Sequence, residues 1–181
     1  IRRFMLPDTL GVLNPMQVQE FMGVMVQRYP DTHFDFHGHN DYDLAVSNVY
    51  AAVLAGAKGL HTTINGLGER AGNAPLASVQ AILRDHFGAE TSINEERLND
   101  VSRLVESYSG ITIPANKPIV GENVFTQVAG VHADGDNKNN LYCNELLPER
   151  FGRKREYALG KTGGKANIRK NLEALGLELD D

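Results

Sequence analysis

The chain of 181 residues is long enough for one ordinary domain with a hydrophobic core, and 41% hydrophobic with 23% charged residues is a globular composition. A net charge of −5 argues against nucleic acid as the main partner, and no apolar run approaches the ~18 residues of a membrane span. No signal peptide is visible, and the single cysteine, Cys143, excludes an internal disulfide and indicates a reducing, cytoplasmic environment.

The first part of the chain predicts strands and helices in alternation. Residues 2–9 predict a short strand, and Asn14 followed by Pro15 predicts the start of a helix. The apolar face of that helix is predicted to contain Val18, Phe21, Met22 and Met25. Residues 33–37 and 59–65 predict two further strands, each followed by a helix with one apolar face. Three successive strand–helix units imply right-handed crossovers and a parallel sheet.

The pattern changes after Gly88. Residues 94–110 predict a helix, and the Gly-, Pro- and Asn-rich residues 111–140 predict a loop-rich linker with short helices. On that helix, one face is predicted to carry Leu98, Val101, Val105 and Tyr108. Residues 167–176 predict a last short helix with Gly176 as its C-cap. The preceding "LGKTGGKAN" lacks the first glycine of a phosphate-binding loop, and we interpret it as a turn into that helix.

Two histidines stand at strand spacing where the second predicted strand ends. His37 and His39 are two residues apart, so they project from the same face. Neutral imidazole is a common ligand of divalent transition metals, and sites in α/β folds gather at the carboxyl ends of strands. The alternative is a pair of ordinary loop histidines, or an inward-facing pair held by hydrogen bonds.

A glycine-rich loop follows the third predicted strand. The segment "NGLGERAGNAP" brings Glu69, Arg70 and Asn73 within five residues. Asn73 could supply an oxygen ligand to the ion that the two histidines would bind. The alternative is a common β–α loop in which Glu69 and Arg70 form only an ion pair.

Four motifs together resemble one family of enzymes. "PDTLG", "HGHND", "NGLGERAGNA" and "AGVHADG" resemble the 2-isopropylmalate synthase and homocitrate synthase family of acetyl-CoA condensing enzymes, in the family's order. The resemblance implies an α/β fold with the last three β/α units of a TIM barrel at residues 1–88. A linker and a small helical, loop-rich subdomain would follow at residues 89–181. By the same resemblance, the first five barrel strands and the C-terminal regulatory domain are absent.

The resemblance also implies a reaction. The family performs a metal-dependent Claisen-type condensation of acetyl-CoA with a 2-keto acid, with Zn²⁺, Mg²⁺ or Mn²⁺ as the expected ion. Our first expectation is 2-ketoisovalerate giving 2-isopropylmalate, a step of leucine biosynthesis, with homocitrate or citramalate synthase as the alternative. Two alternative functions stay open: the chain is a non-catalytic metal-binding or assembly fragment, or it belongs to another TIM-barrel metalloenzyme such as an aldolase or lyase.

Site residues follow from the resemblance position by position. It implies His37, His39 and Asn73 as metal ligands, and Thr9 as a residue that binds the keto-acid carboxylate. It further implies that Glu69 orients groups of the active site.

A second group of expectations concerns the subdomain and assembly. The resemblance implies that His132 enters a neighbouring subunit's active site as part of an acid–base relay, which requires a homodimer or larger homo-oligomer. The family's tyrosine partner has no secure counterpart, because Cys143 takes its place and Tyr142 is one position away. By the resemblance, the acidic metal ligand comes from the family's first strand, which is among the barrel strands that we expect to be absent here. We therefore expect the 181 residues alone to be inactive.

Overall fold

A computed structural model describes residues 2–136, 141, 143–161 and 163–177, apart from the side chains of residues 132, 133 and 136. By its internal contacts the chain divides into two compact units. Unit 1 consists of Ile1–Ile93 with Val101–Ile111, and unit 2 of Asn94–Asp100 with Thr112–Asp181. Among the described residues, no helix has the length and apolar character needed to cross a membrane.

Unit 1 contains the predicted parallel sheet. Its strands are β1 (Arg3–Asp8), β2 (His33–Gly38) and β3 (Gly59–His61), in the order β1-β2-β3 with both pairings parallel. In this register His37 lies between Pro7 on β1 and His61 on β3. The prediction of an α/β unit with a parallel sheet is therefore confirmed.

Three helices follow the three strands. They are α1 (Pro15–Arg28), α2 (Ala45–Leu54) and α3 (Leu76–Phe87). The predicted start of α1 is confirmed, because Asn14 accepts from the backbone N–H of Gln17 at 3.0 Å and the Gln17 side chain accepts from the backbone of Asn14. One predicted core residue is wrong: Phe21 is 49% exposed, since the buried line of α1 runs through Val18 and Met22.

The core of unit 1 lies between the sheet and its helices. Phe34 and Phe36 project from β2 into this core, as the alternation of the strand predicts. The buried cluster also contains Val18, Met22, Ala45, Val49, Ala51, Ala52, Ala74 and Val79. The polar residues of β2 project from the opposite face, where the contacts described below gather.

Strand β3 is shorter than the predicted strand of residues 59–65. It ends at His61, because the chain beyond it folds back on the following loop. The backbone N–H of Thr63 donates to the carbonyl of Ala74 at 3.1 Å, and Asn65 has a φ of 59°, which does not fit a strand. A 3₁₀ turn at Ile64–Gly66 takes the place of the last predicted strand residues.

Unit 2 is built from short elements. A pair of two-residue parallel strands, β4 (Thr126–Gln127) and β5 (Glu156–Tyr157), was not predicted. The helices are α5 (Gly130–Asp136) and α6 (Lys165–Ala174), and 3₁₀ turns occur at Glu95–Arg97 and Pro148–Phe151.

Helix α4 (Leu98–Ser109) begins in unit 2 and continues into unit 1. Its predicted apolar face is only partly buried: Leu98 is buried, whereas Val101 is 37% and Tyr108 83% exposed. Helix α6 is present but begins at Lys165, two residues before the predicted start, with Gly164 as its N-cap. Its C-cap is Leu175, and the predicted C-cap Gly176 follows directly with a φ of 72°.

Candidate functional site

Three imidazoles meet near the carboxyl edge of the sheet in unit 1. The rings of His37 and His39 are 4.9 Å apart between centroids and meet at 76°. The ring of His61, from β3, lies 5.6 Å from that of His37 at 69°. Sequence spacing predicted the first pair, and the parallel pairing of β2 with β3 adds the third ring.

The environment of His37 keeps its imidazole neutral. Burial lowers the pKa of His37, and the neighbouring rings of His39 and His61 lower it further, because a second positive charge there would be repelled. Its Nδ1 is buried and has no hydrogen-bond partner among the described residues. A neutral ring with an unpartnered nitrogen is suited to ligation of a metal ion or to accepting a proton from a ligand.

Asn73 is held beside His39 by the backbone. The two residues form an isolated antiparallel bridge, and the Asn73 backbone N–H donates to Gly66 at 2.9 Å. The Asn73 amide nitrogen donates to the carbonyl of Leu67 at 3.0 Å. Its Oδ1 is buried and lacks a partner within the described part of the chain. An orphaned amide oxygen next to two imidazoles is the donor expected of a cation ligand.

The glycine-rich loop fixes Asn73 through one glycine in particular. Gly72 is buried with a φ of 87°, its N–H donates to Glu69 at 2.8 Å, and its carbonyl accepts from Asn40 at 2.9 Å. A Cβ at this position would overlap the carbonyl oxygen of Gly66, which holds the Asn73 backbone. Only glycine satisfies both the positive φ and this close approach.

The side chain of Arg70 contacts three residues at the carboxyl edge of the sheet. Its Nε donates to Asp41 Oδ1 at 2.7 Å, and its Nη2 lies within 3.0 Å of Asp41 Oδ2, the Thr9 carbonyl and His39 Nδ1. The hydrogen bond from Arg70 holds the pKa of Asp41 below its ordinary value, and the same pairing raises the pKa of Arg70. The sequence suggested Glu69 as the partner of Arg70, but that contact is a longer 3.8 Å.

The loop after β1 is organised by Asp8. Its buried carboxylate accepts from the backbone N–H groups of Val12 and Leu13, each at 3.0 Å. Thr9, predicted to bind the keto-acid carboxylate, is exposed beside it and contributes its backbone carbonyl to Arg70. The conformation of the loop is therefore fixed by the side chain of Asp8, the residue before the predicted Thr9.

For the two predicted catalytic residues, Glu69 and His132, no described side-chain contact with His37, His39 or Asn73 is present. The side chain of Glu69 is 85% exposed, and its described ion-pair contact is with Arg70. His132 lies on α5, and its side chain falls outside the described residues, as does Tyr142 entirely. Their roles stay predictions.

A buried carboxylate, that of Asp35, lies two residues before His37 on the face of the sheet opposite the hydrophobic core. Asp35 accepts from Arg3 Nε at 2.6 Å and His33 Nε2 at 2.9 Å, and His61 Nε2 is 3.4 Å away. Burial alone would raise the pKa of Asp35, but the hydrogen bond and charge of Arg3, with both histidines, outweigh it and lower the pKa. The strand alternation could have indicated this acid, since it shares a face with His33 and His37.

Two further oxygens could have been found only from the structure. Thr63 Oγ1 and Asn65 Oδ1 are buried without a partner among the described residues, while the Asn65 amide donates to the carbonyl of Ser102 at 2.9 Å. Both follow β3 and belong to the loop that carries Asn73. They add unpaired acceptors to the carboxyl edge of the sheet.

The donor set at this edge fits a divalent cation in part. It offers the imidazoles of His37 and His39 and the amide oxygen of Asn73, which are nitrogen and oxygen ligands of the kind that Zn²⁺ accepts. Within the described residues, no group of three His, Cys, Asp or Glu side chains could hold a metal ion.

Comparison with known proteins identifies relatives for both parts of the chain. Residues 1–105 match the HMGL-like family, and residues 119–181 match the family described as homocitrate synthase post-HMGL domain-like. A homocitrate synthase of Sulfolobus acidocaldarius is 45% identical over 179 residues, which are 99% of this chain and 38% of that protein. A protein of Methanopyrus kandleri named as a candidate (R)-citramalate synthase is 42% identical over 96% of this chain and 34% of its own length. The chain thus spans little more than a third of these relatives.

Solved structures share the fold of a large part of the chain. The HMG-CoA lyase of Bacillus subtilis aligns with a TM-score of 0.57 at 25% identity, over 63% of this chain and 40% of that enzyme. An HMG-CoA lyase of Acinetobacter baumannii, solved with coenzyme A and 3-methylmalate, aligns with a TM-score of 0.54 at 27% identity, over 61% and 38% of the two chains.

Proposed function

Because the chain belongs to the HMGL-like family, we propose that it forms part of an enzyme that condenses acetyl-CoA with a 2-keto acid, of the homocitrate or citramalate synthase type. The match of residues 119–181 to the homocitrate synthase post-HMGL family supports a synthase over other members of the family. The relatives named homocitrate synthase support the same choice.

One observation supports this function most strongly: His37, His39 and Asn73 converge at the carboxyl edge of a parallel sheet. His37 Nδ1 and Asn73 Oδ1 are buried polar atoms without a partner in the described part of the chain. A buried polar atom without a partner destabilises the folded protein unless a ligand binds to it. We propose a divalent ion, Zn²⁺, Mg²⁺ or Mn²⁺, as that ligand.

The bound ion would act as a Lewis acid that polarises the keto group of the substrate. The residues of this chain have separate tasks. Burial lowers the pKa of His37, which favours the neutral ring that can hold the ion. Asp8 sets the loop that presents Thr9, which we propose to bind the keto-acid carboxylate. Glu69, exposed beside Arg70, is proposed to orient groups of the active site.

The sheet of unit 1 supports a partial barrel. We propose that residues 1–88 are the last three β/α units of a (β/α)8 barrel, and that residues 89–181 are the linker and subdomain. The three consecutive parallel strands and the likeness to HMG-CoA lyases support this assignment.

The names of the relatives reorder the candidate keto acids. Homocitrate has the carbon skeleton of an acetyl group added to 2-oxoglutarate, and citramalate that of an acetyl group added to pyruvate. We therefore propose 2-oxoglutarate first and pyruvate second. The expected 2-ketoisovalerate, and with it leucine biosynthesis, becomes the third choice, because no relative reported above is named for it.

A second candidate is carbon–carbon bond cleavage of the lyase type. The lyase structures support it, because they align with 63% and 61% of the chain. The post-HMGL match at residues 119–181 favours the synthase, since it covers most of the remainder of the chain.

Assembly as a homodimer is proposed from the segment "AGVHADG", which resembles the part of the family that reaches a neighbouring subunit. His132 would then act in the partner's site. In the full-length enzyme, mixing a His37→Ala sample with a His132→Ala sample, each inactive, should restore part of the activity by hybrid dimers. No recovery after refolding of the mixture would argue against a shared site.

The activity itself is tested by release of free CoA thiol from acetyl-CoA with each of the three keto acids. Because the 181 residues alone are expected to be inactive, the assay uses the full-length enzyme of which they are proposed to form part. There we expect release with 2-oxoglutarate or pyruvate, and a loss of about a hundredfold or more in His37→Ala. His86→Ala is the matched control, because His86 is an exposed histidine on α3 that packs against Tyr50. Cleavage of HMG-CoA without any thiol release from acetyl-CoA would favour the lyase.

A further inference from the structure

Arg70 connects the loops that follow all three strands of unit 1. Its guanidinium contacts the carboxylate of Asp41 through Nε and Nη2, and Nη2 also lies 2.9 Å from the Thr9 carbonyl and 2.8 Å from His39 Nδ1. We call Thr9, His39, Asp41 and Arg70 the Arg70 cluster. Arg70 reaches it from a backbone with φ of 53°, a conformation uncommon for residues other than glycine.

The contact with Arg70 determines where His39 carries its proton. A guanidinium has five N–H donors and no acceptor, so His39 Nδ1 must accept the hydrogen bond at 2.8 Å. In a neutral ring the proton then resides on Nε2. One nitrogen of His39 thus has its lone pair engaged and the other carries hydrogen. His37 differs, since its Nδ1 has no partner among the described residues.

This tautomer is incompatible with a metal bond from either nitrogen of His39. Ligation through Nδ1 needs the lone pair that Arg70 engages. Ligation through Nε2 moves the proton to Nδ1, where it would face a donor of Arg70. In both cases the bond between Arg70 Nη2 and His39 must break before the ring becomes a ligand.

Arg70 can leave His39 without losing its other partners. Nη2 has two hydrogens but three acceptors within 3.0 Å, so one of the three contacts is shared. After release of His39, the two hydrogens still match Asp41 Oδ2 and the Thr9 carbonyl. The bidentate pairing with Asp41 keeps the guanidinium next to the ring.

We propose that Arg70 is a positioning residue that withholds His39 from the metal ion, and that ion binding displaces Arg70 Nη2 from His39 Nδ1 while Asp41 and Thr9 retain it. The proposal rests on the proposed function, because it takes His39 as a ligand. A purely structural role for Arg70, as a connection between loops, predicts the opposite effect on metal affinity.

The first test is the tautomer of His39 in the metal-free chain, read from the side-chain ¹⁵N chemical shifts at a pH where the ring is neutral. We expect the Nε2–H form to predominate in the wild type and a mixture of forms in Arg70→Met. Arg103→Met is the matched control, since Arg103 is a similarly half-exposed arginine paired with a carboxylate, Glu106. An Nδ1–H form in the wild type would overturn the proposal without any variant.

The second test is Zn²⁺ affinity by calorimetry. Arg70→Met removes both the competitor and a positive charge beside the site, so we expect about tenfold tighter binding than in the wild type or Arg103→Met. Equal or weaker binding in Arg70→Met would overturn the withholding role. If His39→Ala binds Zn²⁺ as tightly as the wild type, the proposed metal site at His39 is wrong, whereas the tautomer result still stands.

Discussion

Substitution of Gly72 by alanine should damage the site more than its small size suggests. Gly72 has a φ of 87°, and an added Cβ would overlap the carbonyl oxygen of Gly66. That oxygen accepts the backbone N–H of Asn73 at 2.9 Å, so its displacement moves the proposed amide ligand. The perturbation therefore combines backbone strain with a steric clash.

The two contributions can be estimated separately. A left-handed backbone at alanine costs about 1–2 kcal/mol. Loss of the hydrogen bond between Asn73 and Gly66 adds about 0.5–1.5 kcal/mol. We therefore expect Gly72→Ala to lower the free energy of unfolding by about 1.5–3.5 kcal/mol.

Gly88→Ala is the matched control for the strain alone. Gly88 has a φ of 61° after α3, but a Cβ there would have nothing within 4 Å. Urea unfolding followed by circular dichroism should give a loss of only about 1–2 kcal/mol for this variant. A Gly72→Ala loss no larger than that of Gly88→Ala would refute the clash, and unchanged metal affinity in Gly72→Ala would refute its link to Asn73.

Three further changes test other contacts by urea unfolding. Asp8→Ala leaves two backbone N–H groups without their charged acceptor and should cost about 3 kcal/mol or more, so a loss below about 1 kcal/mol would count against the loop's described geometry. Glu95→Gln breaks a buried bidentate ion pair with Arg150, at 2.6 and 3.0 Å, and should lower the free energy of unfolding by about 3–5 kcal/mol. Replacing Glu95 by Leu and Arg150 by Met together should recover most of that stability. If the losses of the two single changes simply added in the double variant, this account of the pair would be contradicted. Because folding lowers the pKa of Asp35, its negative charge contributes stability above about pH 4, and this stability is lost as the pH falls through the pKa that Asp35 has in the folded protein. Asp35→Asn should therefore make the free energy of unfolding depend less steeply on pH in acid. An unchanged pH dependence would exclude Asp35 as its source.

Elements specified by local spacing were predicted well from the sequence. The start of α1 depends on Asn14 and Gln17, three residues apart, and both hydrogen bonds of the capping box are present. The end of β3 was missed, because it depends on a bond between Thr63 and Ala74 that forms only when the glycine-rich loop folds back. The pair of strands in unit 2 was missed because two residues give no detectable alternation.

The site shows the same division between local and distant information. Spacing brought His37 and His39 together, and a motif pointed to Asn73. The partner of Arg70 could not be predicted, since Asp41 is 29 residues away in sequence and meets it only through the parallel strands. Glu69, the sequence neighbour, was the partner that the alternative interpretation of this loop named.

Metal binding by the histidine pair tests the central proposal most directly. Titration of the metal-free protein with Zn²⁺ or Mn²⁺, followed by calorimetry and metal analysis, should give one ion per chain. We expect His37→Ala and Asn73→Ala each to weaken binding by at least about tenfold, as loss of a ligand requires, with His86→Ala unchanged. Equal stoichiometry and affinity in the wild type and a His37→Ala/His39→Ala double variant would contradict the assignment of this edge of the sheet as the metal site.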